Sequence, residues 1–398
     1  MEKKDKNLNV PNLRFPEFSG EWEKVPLSKI VTRVTRKNKN NESRLPLTIS
    51  AQHGLVDQVT FFNKVVASSD MSNYYLLHKG EFAYNKSYSG DYPWGAIKRL
   101  DRYDQGALSS LYICFTPTDI IDSDFLVHYF ESPKWHREVS NIAGEGARNH
   151  GLLNIAVPDF FNTQHCITTN KTEQRKIAKF LNLINKRIEA QKKVIEKYES
   201  LIRGISNKLL YADNGIPVRL SDILIERSER TKVNNQHEVL SSTVKGIFSQ
   251  REYFSKEIAS ENNVGYKIIH LHDVVLSPQN LWMGNINYND KYDIGIVSPS
   301  YKIFSIAEGY DKRFVSVLLK THRALYNYML VSEQGASVVR RNLNMEAFEQ
   351  LVFKMPSIDK QREVGNAISA LQSRLELAIS VKTAYEKQKQ WLLTEMFI

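Results

Sequence analysis

Cysteine is nearly missing from this chain of 398 residues. Cys114 and Cys166 are the only two and stand in unrelated contexts, which supports neither a disulfide framework nor a zinc site. No apolar run approaches the roughly 18 residues that a membrane-spanning helix needs. The first residues, Met1–Asn9, are charged and lack an apolar stretch, so they do not read as a signal peptide. These absences together predict a soluble protein of the reducing cytoplasm.

Motifs of catalysis are missing as well. No G-x-x-x-x-G-K-[ST] phosphate loop occurs, and Gly144-Glu145-Gly146 lacks the third glycine and following helix of a dinucleotide site. The N-P-P-F and D-P-P-Y tetrapeptides of adenine methyltransferases and the H-E-x-x-H zinc motif are also absent. His270 and His272 alternate along an expected strand and so share one face, but no Cys or carboxylate set accompanies them. The expectation is a non-catalytic chain without a metal or cofactor of its own.

What the chain does have is a repeat. Tyr103–Phe115 reads Y-D-x-G-x-x-S-x-x-Y-x-x-F, and Tyr292–Phe304 reads the same 189 positions later. Val25-Pro26-Leu27-Ser28-Lys29-Ile30 matches Val218-Arg219-Leu220-Ser221-Asp222-Ile223 at an offset of 193. Ser50, Gly54 and Leu55 match Ser242, Gly246 and Ile247 at 192. Trp94-Gly95-Ala96-Ile97 lies opposite Met283-Gly284-Asn285-Ile286, beside Trp282. Gly146-Ala147 and Leu153-Asn154 are echoed by Gly335-Ala336 and Leu343-Asn344. The order never changes while the offset drifts, as it does when one fold occurs twice with loops of different length. With 42% hydrophobic residues, 19 Tyr and 18 Phe, each half has enough apolar and aromatic material for a strand-rich core.

Each half ends in a long helical pattern. Ile177, Leu181, Ile184, Ile188, Gln191, Ile195, Tyr198, Ile202, Ile205 and Leu209 keep strict 4-3 spacing. Val364, Ile368, Leu371, Leu375, Ala378, Lys382, Tyr385, Lys389, Leu392 and Met396 keep the same register 187 positions later. Such spacing marks a coiled-coil seam. Thr172–Tyr211 contains no proline and one glycine, Gly204. The partner of each helix is expected to be the other, packed antiparallel, or else a helix of a second chain. Gln191, Lys382 and Lys389 interrupt the seam and are expected to fix register. Net charge is +10, from 54 basic and 44 acidic residues. The stretch Lys171–Tyr211 alone carries +7 against +1 for Asp359–Phe397, which suits a phosphate backbone or an acidic partner.

Three short segments resemble a known family. Pro11-Asn12-Leu13-Arg14-Phe15-Pro16-Glu17-Phe18-Ser19-Gly20-Glu21-Trp22-Glu23 is similar to the opening of type I restriction-modification specificity subunits. Glu173-Gln174-Arg175-Lys176-Ile177-Ala178 resembles the start of their central helix, and Leu392-Leu393-Thr394-Glu395-Met396-Phe397 their C-terminus. The second helix start, Lys360-Gln361-Arg362-Glu363-Val364-Gly365, keeps Gln and Arg and loses the leading Glu. The resemblance spans essentially the whole chain. It implies an α+β protein with two pseudo-symmetric, strand-rich target recognition domains separated by two long antiparallel coiled-coil helices. The division is an N-terminal segment 1–20, recognition domains 21–165 and 212–356, and spacer helices 166–211 and 357–398. It further implies that each domain reads half of an asymmetric bipartite double-stranded DNA target. The helices would set the spacer and dock two methyltransferase subunits, and motor-nuclease subunits would complete the complex. S-adenosylmethionine, ATP and magnesium would belong to those partners. Two other classes stay open. One is the DNA-binding subunit of a fused-type restriction enzyme contributing to catalysis, for which a methyltransferase or nuclease motif is missing. The other is a non-catalytic coiled-coil scaffold that binds protein only.

Direct readout of bases favours Arg, Lys, Asn and Gln on loops that enter the major groove. Three pairs of repeat-matched loops offer them. Gln52 and His53 face Thr243 and Lys245 across the repeat. Lys86, Ser87 and Tyr88 correspond to Pro278, Gln279 and Asn280. Arg148, Asn149 and His150 correspond to Arg340, Arg341 and Asn342. These loops differ between halves, as two different half-sites require. Tyr103, Ser109, Tyr112 and Phe115 recur in both halves and are therefore expected in the core. Trp94 and Trp282 are expected to pack.

Overall fold

A computed structural model describes residues 9–144, 151–210, 215–253, 262–334 and 341–398. Two compact units emerge, Met1–Gln191 with Val381–Ile398, and Lys192–Ser380. In chain order the first unit holds β1 (Glu23–Pro26), α1 (Leu27–Ile30), β2 (Val31–Arg33), β3 (Pro46–Ser50), β4 (Gly54–Asp57), α2 (Gln58–Phe62), β5 (Tyr75–His78), β6 (Phe82–Asn85), β7 (Ala96–Arg99), β8 (Gln105–Leu108), β9 (Ile113–Pro117), α3 (Ser123–Glu131), α4 (His136–Ile142), α5 (Val157–Asn162) and β10 (Gln164–Ile167). Helix α6 (Lys171–Leu210) begins in this unit and ends in the second. The second unit continues with β11 (Ile216–Arg219), α7 (Leu220–Ile223), β12 (Leu224–Arg227), β13 (Leu240–Thr243), β14 (Gly246–Ser249), α8 (Gln250–Tyr253), β15 (Lys267–His270), β16 (Val274–Leu276), β17 (Ile286–Tyr288), β18 (Ile294–Val297), β19 (Lys302–Ile306), α9 (Lys312–Leu318), α10 (His322–Leu330), β20 (Ser332–Gln334), β21 (Arg341–Leu343), α11 (Met345–Glu349) and β22 (Val352–Met355). Helix α12 (Ile358–Glu395) starts there and finishes in the first unit.

The sequence repeat is a repeat of topology. The sheet β2-β9-β6-β7 of the first unit returns as β12-β19-β16-β17. The pair β1-β10 returns as β11-β22. The first unit's second sheet runs β4-β3-β8-β5, with β3 and β8 parallel. In the second unit the same strands form two pairs, β13-β14 and β15-β18, linked by a parallel bridge between Val239 and Ile296.

Local chemistry explains the repeated positions. Leu27 and Ile30, like Leu220 and Ile223, sit three apart on one-turn helices and are fully buried. The thirteen-residue motif is a core turn. The backbone of Tyr112 donates to Ser109 and that of Tyr301 to Ser298. The Tyr103 and Tyr292 hydroxyls accept from the backbone amides of Asp57 and Ser249. Phe115 and Phe304 are buried in the main clusters of their units. Gly106 and Gly295 are needed for close approach. A Cβ on either would lie 2.4 Å from a methyl of Leu47 or Leu240 respectively, far inside contact distance.

Every seam position of α6 from Ile177 to Ile205, and every one of α12 from Val364 to Met396, is buried or half-buried. In the first unit, Ile177, Leu181, Ile184 and Ile188 share a core with Leu392, Leu393, Met396 and Phe397. In the second, Ile202 and Ile205 lie against the core that holds Val364 and Ile368. The start of each helix therefore packs with the end of the other, which is the antiparallel arrangement. Lys389 departs from the seam expectation. Its ammonium lies 2.9 Å from Glu131 of α3, so it ties the helix to the globular body. Burial raises the Glu131 carboxyl, but a hydrogen bond from His128 and the Lys389 charge overcome that and hold it well below the ordinary carboxylate range. Lys382 pairs one turn along its own helix with Glu386.

Candidate nucleic-acid interface

The two helix starts are anchored alike. Gln174 is fully buried. Its Oε1 accepts from the Asp122 amide at 2.6 Å, and its Nε2 donates to the Thr168 and Ile120 carbonyls. Gln361 repeats this, accepting from the Asp311 amide at 3.0 Å and donating to the Pro356 carbonyl. Asp122 and Asp311 are themselves the N-caps of α3 and α9. One glutamine thus holds a long helix against the cap of a short one in each unit. The leading Glu differs because its partner differs. Glu173 forms a bidentate pair with Arg14 at 2.7 and 2.8 Å, and Arg14 also donates to the carbonyls of Ser19 and Gly20. In the same segment, Phe15 meets Phe180 edge-on, Lys176 lies over the Phe15 ring and pairs with Glu17, and the Leu13 amide donates to the Glu395 carbonyl. The opening motif is a clasp over both helices of the first unit.

Beside each anchor lies a charged cleft. The first, about 270 Å³, is lined by Asp122, Asp124, Arg175, Lys179 and Lys186 among others. The second, about 360 Å³, is lined by Asp311, Lys312, Arg313 and Arg362 among others. The pairs Asp122/Asp311 and Arg175/Arg362 are repeat partners, so the units carry related clefts.

Of the candidate reading loops, two in each unit adjoin. In the first, the Leu153 amide donates to the Lys86 carbonyl, the Tyr88 amide donates to the Gly151 carbonyl, and Ser87 bridges Leu152. Arg148, Asn149 and His150 lie outside the described residues, directly before that stretch. In the second unit the Arg341 amide donates to the Gln279 carbonyl at 3.2 Å. There, Asn342 and Gln279 are exposed while Asn280 and Pro278 are half-buried, and Arg340 is outside the described residues. The Arg341 guanidinium covers the Trp282 ring at 4.7 Å, an arrangement that holds a cation at the surface on a flat apolar support. Trp94, its counterpart, packs against the first core.

The remaining loop is the tip of a hairpin in each unit. Gln52 and His53 are exposed between β3 and β4, and the Ser50 hydroxyl accepts from the His53 amide. Lys245 is exposed and Thr243 half-buried between β13 and β14.

Comparison with known structures fits this architecture. The S subunit of a type I restriction-modification system from M. genitalium matches with a TM-score of 0.58 at 15% identity, over 98% of this chain and 99% of its own. A chain from a structure on complex assembly and conformational transition of the type I R-M system matches with a TM-score of 0.54 at 11% identity, over 94% and 97%. The fold is that of a type I S subunit. No protein-family profile and no curated protein sequence matches the chain.

Several residues beside the candidate loops escape a reading of the sequence. Lys320, between α9 and α10, reaches the Asn287 Oδ1 at 2.5 Å and the Val244 carbonyl at 3.4 Å. Burial pushes its ammonium down to about 8. A signal existed: Lys134-Trp135-His136-Arg137 and Lys320-Thr321-His322-Arg323 repeat K-x-H-R at an offset of 186. Phe61 and Phe62 are exposed on α2, and Phe61 lies edge-on to His53 at 6.4 Å. Their signal is Gln58-x-x-Phe61-Phe62-x-Lys64 against Gln250-x-x-Tyr253-Phe254-x-Lys256. The histidine pair needs correction. His272 has φ +76 in the turn after β15, whereas His270 ends that strand. They do not share a strand face. His270 bonds Glu229 at 2.8 Å and His272 bonds the Tyr288 hydroxyl at 2.6 Å. Among the described residues no cluster of three or more His, Cys, Asp or Glu can hold a metal ion, and no helix is long and apolar enough to cross a membrane.

Proposed function

We propose that this chain is the DNA-specificity subunit of a type I restriction-modification complex. Each unit reads one half of an asymmetric, interrupted duplex sequence. One observation carries this reading: the same frame occurs twice in a chain whose whole length follows the fold of S subunits, with polar loops of different composition in equivalent places. A shared frame with unlike loops suits two unlike half-sites. The basic balance of the chain, +10, supports attraction to the phosphate backbone. The repeat-related clefts beside Arg175 and Arg362 suit two copies of one partner, which are the methyltransferase subunits. Motor-nuclease subunits complete the assembly. Binding of S-adenosylmethionine, ATP and magnesium falls to those partners, and this chain supplies recognition without chemistry.

The decisive measurement is mapping of methylated adenines in cells that carry the chain together with type I methyltransferase subunits. One asymmetric bipartite motif, absent without the chain, is the expected result. Methylation that is scattered, or identical with and without the chain, would refute the assignment. The purified chain alone should transfer no methyl group from labelled S-adenosylmethionine.

A further inference from the structure

Among the described residues, the tip between β13 and β14 is held by side chains in a way that the tip between β3 and β4 is not. Asn285 immediately precedes β17 and Asn287 lies within it, and both are almost fully buried, as is Ser242 of β13. The Ser242 hydroxyl donates to the Asn285 Oδ1 at 2.7 Å and accepts from the Asn287 Nδ2 at 2.7 Å. Asn285 Nδ2 donates to the Ser242 carbonyl at 3.0 Å, and the Tyr301 hydroxyl donates to the same carbonyl at 3.1 Å. Asn287 Nδ2 donates to the Thr243 carbonyl at 2.8 Å. Lys320 closes the set from a separate element, with its bonds to the Asn287 Oδ1 and the Val244 carbonyl. Three successive backbone carbonyls, 242 to 244, are therefore each bound by a side chain from outside the hairpin.

Strand register places Lys98 of β7 where β17 has Asn287, and therefore Ala96 where Asn285 precedes that strand. The first unit thus has no amide pair at these positions. Burying two amides and a hydroxyl is costly unless every group is satisfied, and apolar side chains would fill the space with less at stake. A network of this kind holds a backbone in one conformation. The object it holds is the tip that presents Thr243 and Lys245.

We propose that Lys320 and Asn287 are positioning residues for base recognition by the second unit: they set the conformation of the 243–245 tip and so its half-site specificity. This rests on the functional reading above. The two residues act through the tip and need not touch a base.

The test uses the full chain with its methyltransferase partners and reads adenine methylation across a genome. Lys320→Met should keep the half-site read by the first unit and lose about tenfold or more of its discrimination at one or two positions of the second, in line with the worth of well-placed base contacts. Lys320→Arg, which can still donate to Asn287 and the carbonyl, should restore most of it. Asn287→Leu is an independent probe from the other end of the network and should relax the same positions. A role limited to stability would instead lower methylation of every site equally, with both half-sites unchanged, and that result overturns the proposal. If Lys320→Met fails to fold, unchanged second-half discrimination in Asn287→Leu overturns it equally. A wild-type chain that directs no bipartite methylation removes the functional reading itself, which separates the two failures.

Discussion

At the scale of single residues, the repeat is enforced by contacts that no spacing reveals. Gly106 and Gly295 stand at the same motif position, and a sequence reading sees only that both are glycine. The reason lies 59 positions away in Leu47 and 55 away in Leu240, whose side chains press on the glycine backbone. Gly295→Ala should destabilise the second unit by about 1–3 kcal/mol, the usual cost of overpacking, in a thermal or urea unfolding measurement. A loss below about 0.5 kcal/mol, the scale of a neutral surface change, would mean that Leu240 moves aside freely. His165 is a second case. It is buried, bonded through Nδ1 to the Tyr129 hydroxyl at 2.7 Å and through Nε2 to the Thr163 hydroxyl at 2.8 Å. Burial lowers its imidazole from the ordinary 6.5 to about 4. The folded form therefore resists protonation more than the unfolded chain does. Stability is full above pH 6.5 and declines as the pH falls from 6.5 to about 4, by about 3 kcal/mol at the lower limit. Urea unfolding across that window should show a steeper decline for the wild type than for His165→Gln. Equal slopes would assign the acid sensitivity elsewhere. Nothing in the sequence marks His165, because its burial depends on three segments that meet only in the fold.

At the scale of elements, the long helices were the most legible part. Strict 4-3 spacing identifies both seams, and every described seam position is buried or half-buried. The pattern could not say what a polar seam residue faces. Lys389 reads as a flaw in a coiled coil until α3 brings Glu131 to it. The short strands were hardest to place, at three to five residues each, because periods of two need more length to show. If helix length sets the gap between half-sites, four residues inserted after Glu189 add about 6 Å. At roughly 3.4 Å per base pair the gap should grow by about one or two pairs with both half-sites intact. The inserted stutter is absorbed by local unwinding of the coil. Methylation mapping that returns the original gap from a folded variant would remove the helices from that role.

At the scale of the whole molecule, the doubled plan was plain in the sequence because it rests on order, and order survives loop insertions. The candidate reading loops were less accessible. Their positions could be matched across the repeat, but that 86–88 runs beside 151–153, or that Gln279 meets Arg341, requires chain segments more than 60 residues apart to be folded together. Lys320 was missed for the same reason. Modularity follows from a frame shared by unlike loops. Exchanging Glu21–His165 for the matching domain of a related specificity subunit should change one half of the methylated motif and leave the other. A change in both halves would show that the units do not read separately.

The burial of Phe397 has a consequence for how the protein comes into being. It is almost fully enclosed among Trp22, Phe125 and Tyr129, and Leu392, Leu393 and Met396 lie in the same core. These side chains leave the ribosome hundreds of residues after the strands they complete. Unit Lys192–Ser380 is fully synthesised while its predecessor still has a gap in its interior. The part made first is thus the part finished last, and for that interval its open apolar floor is exposed to whatever a nascent chain meets.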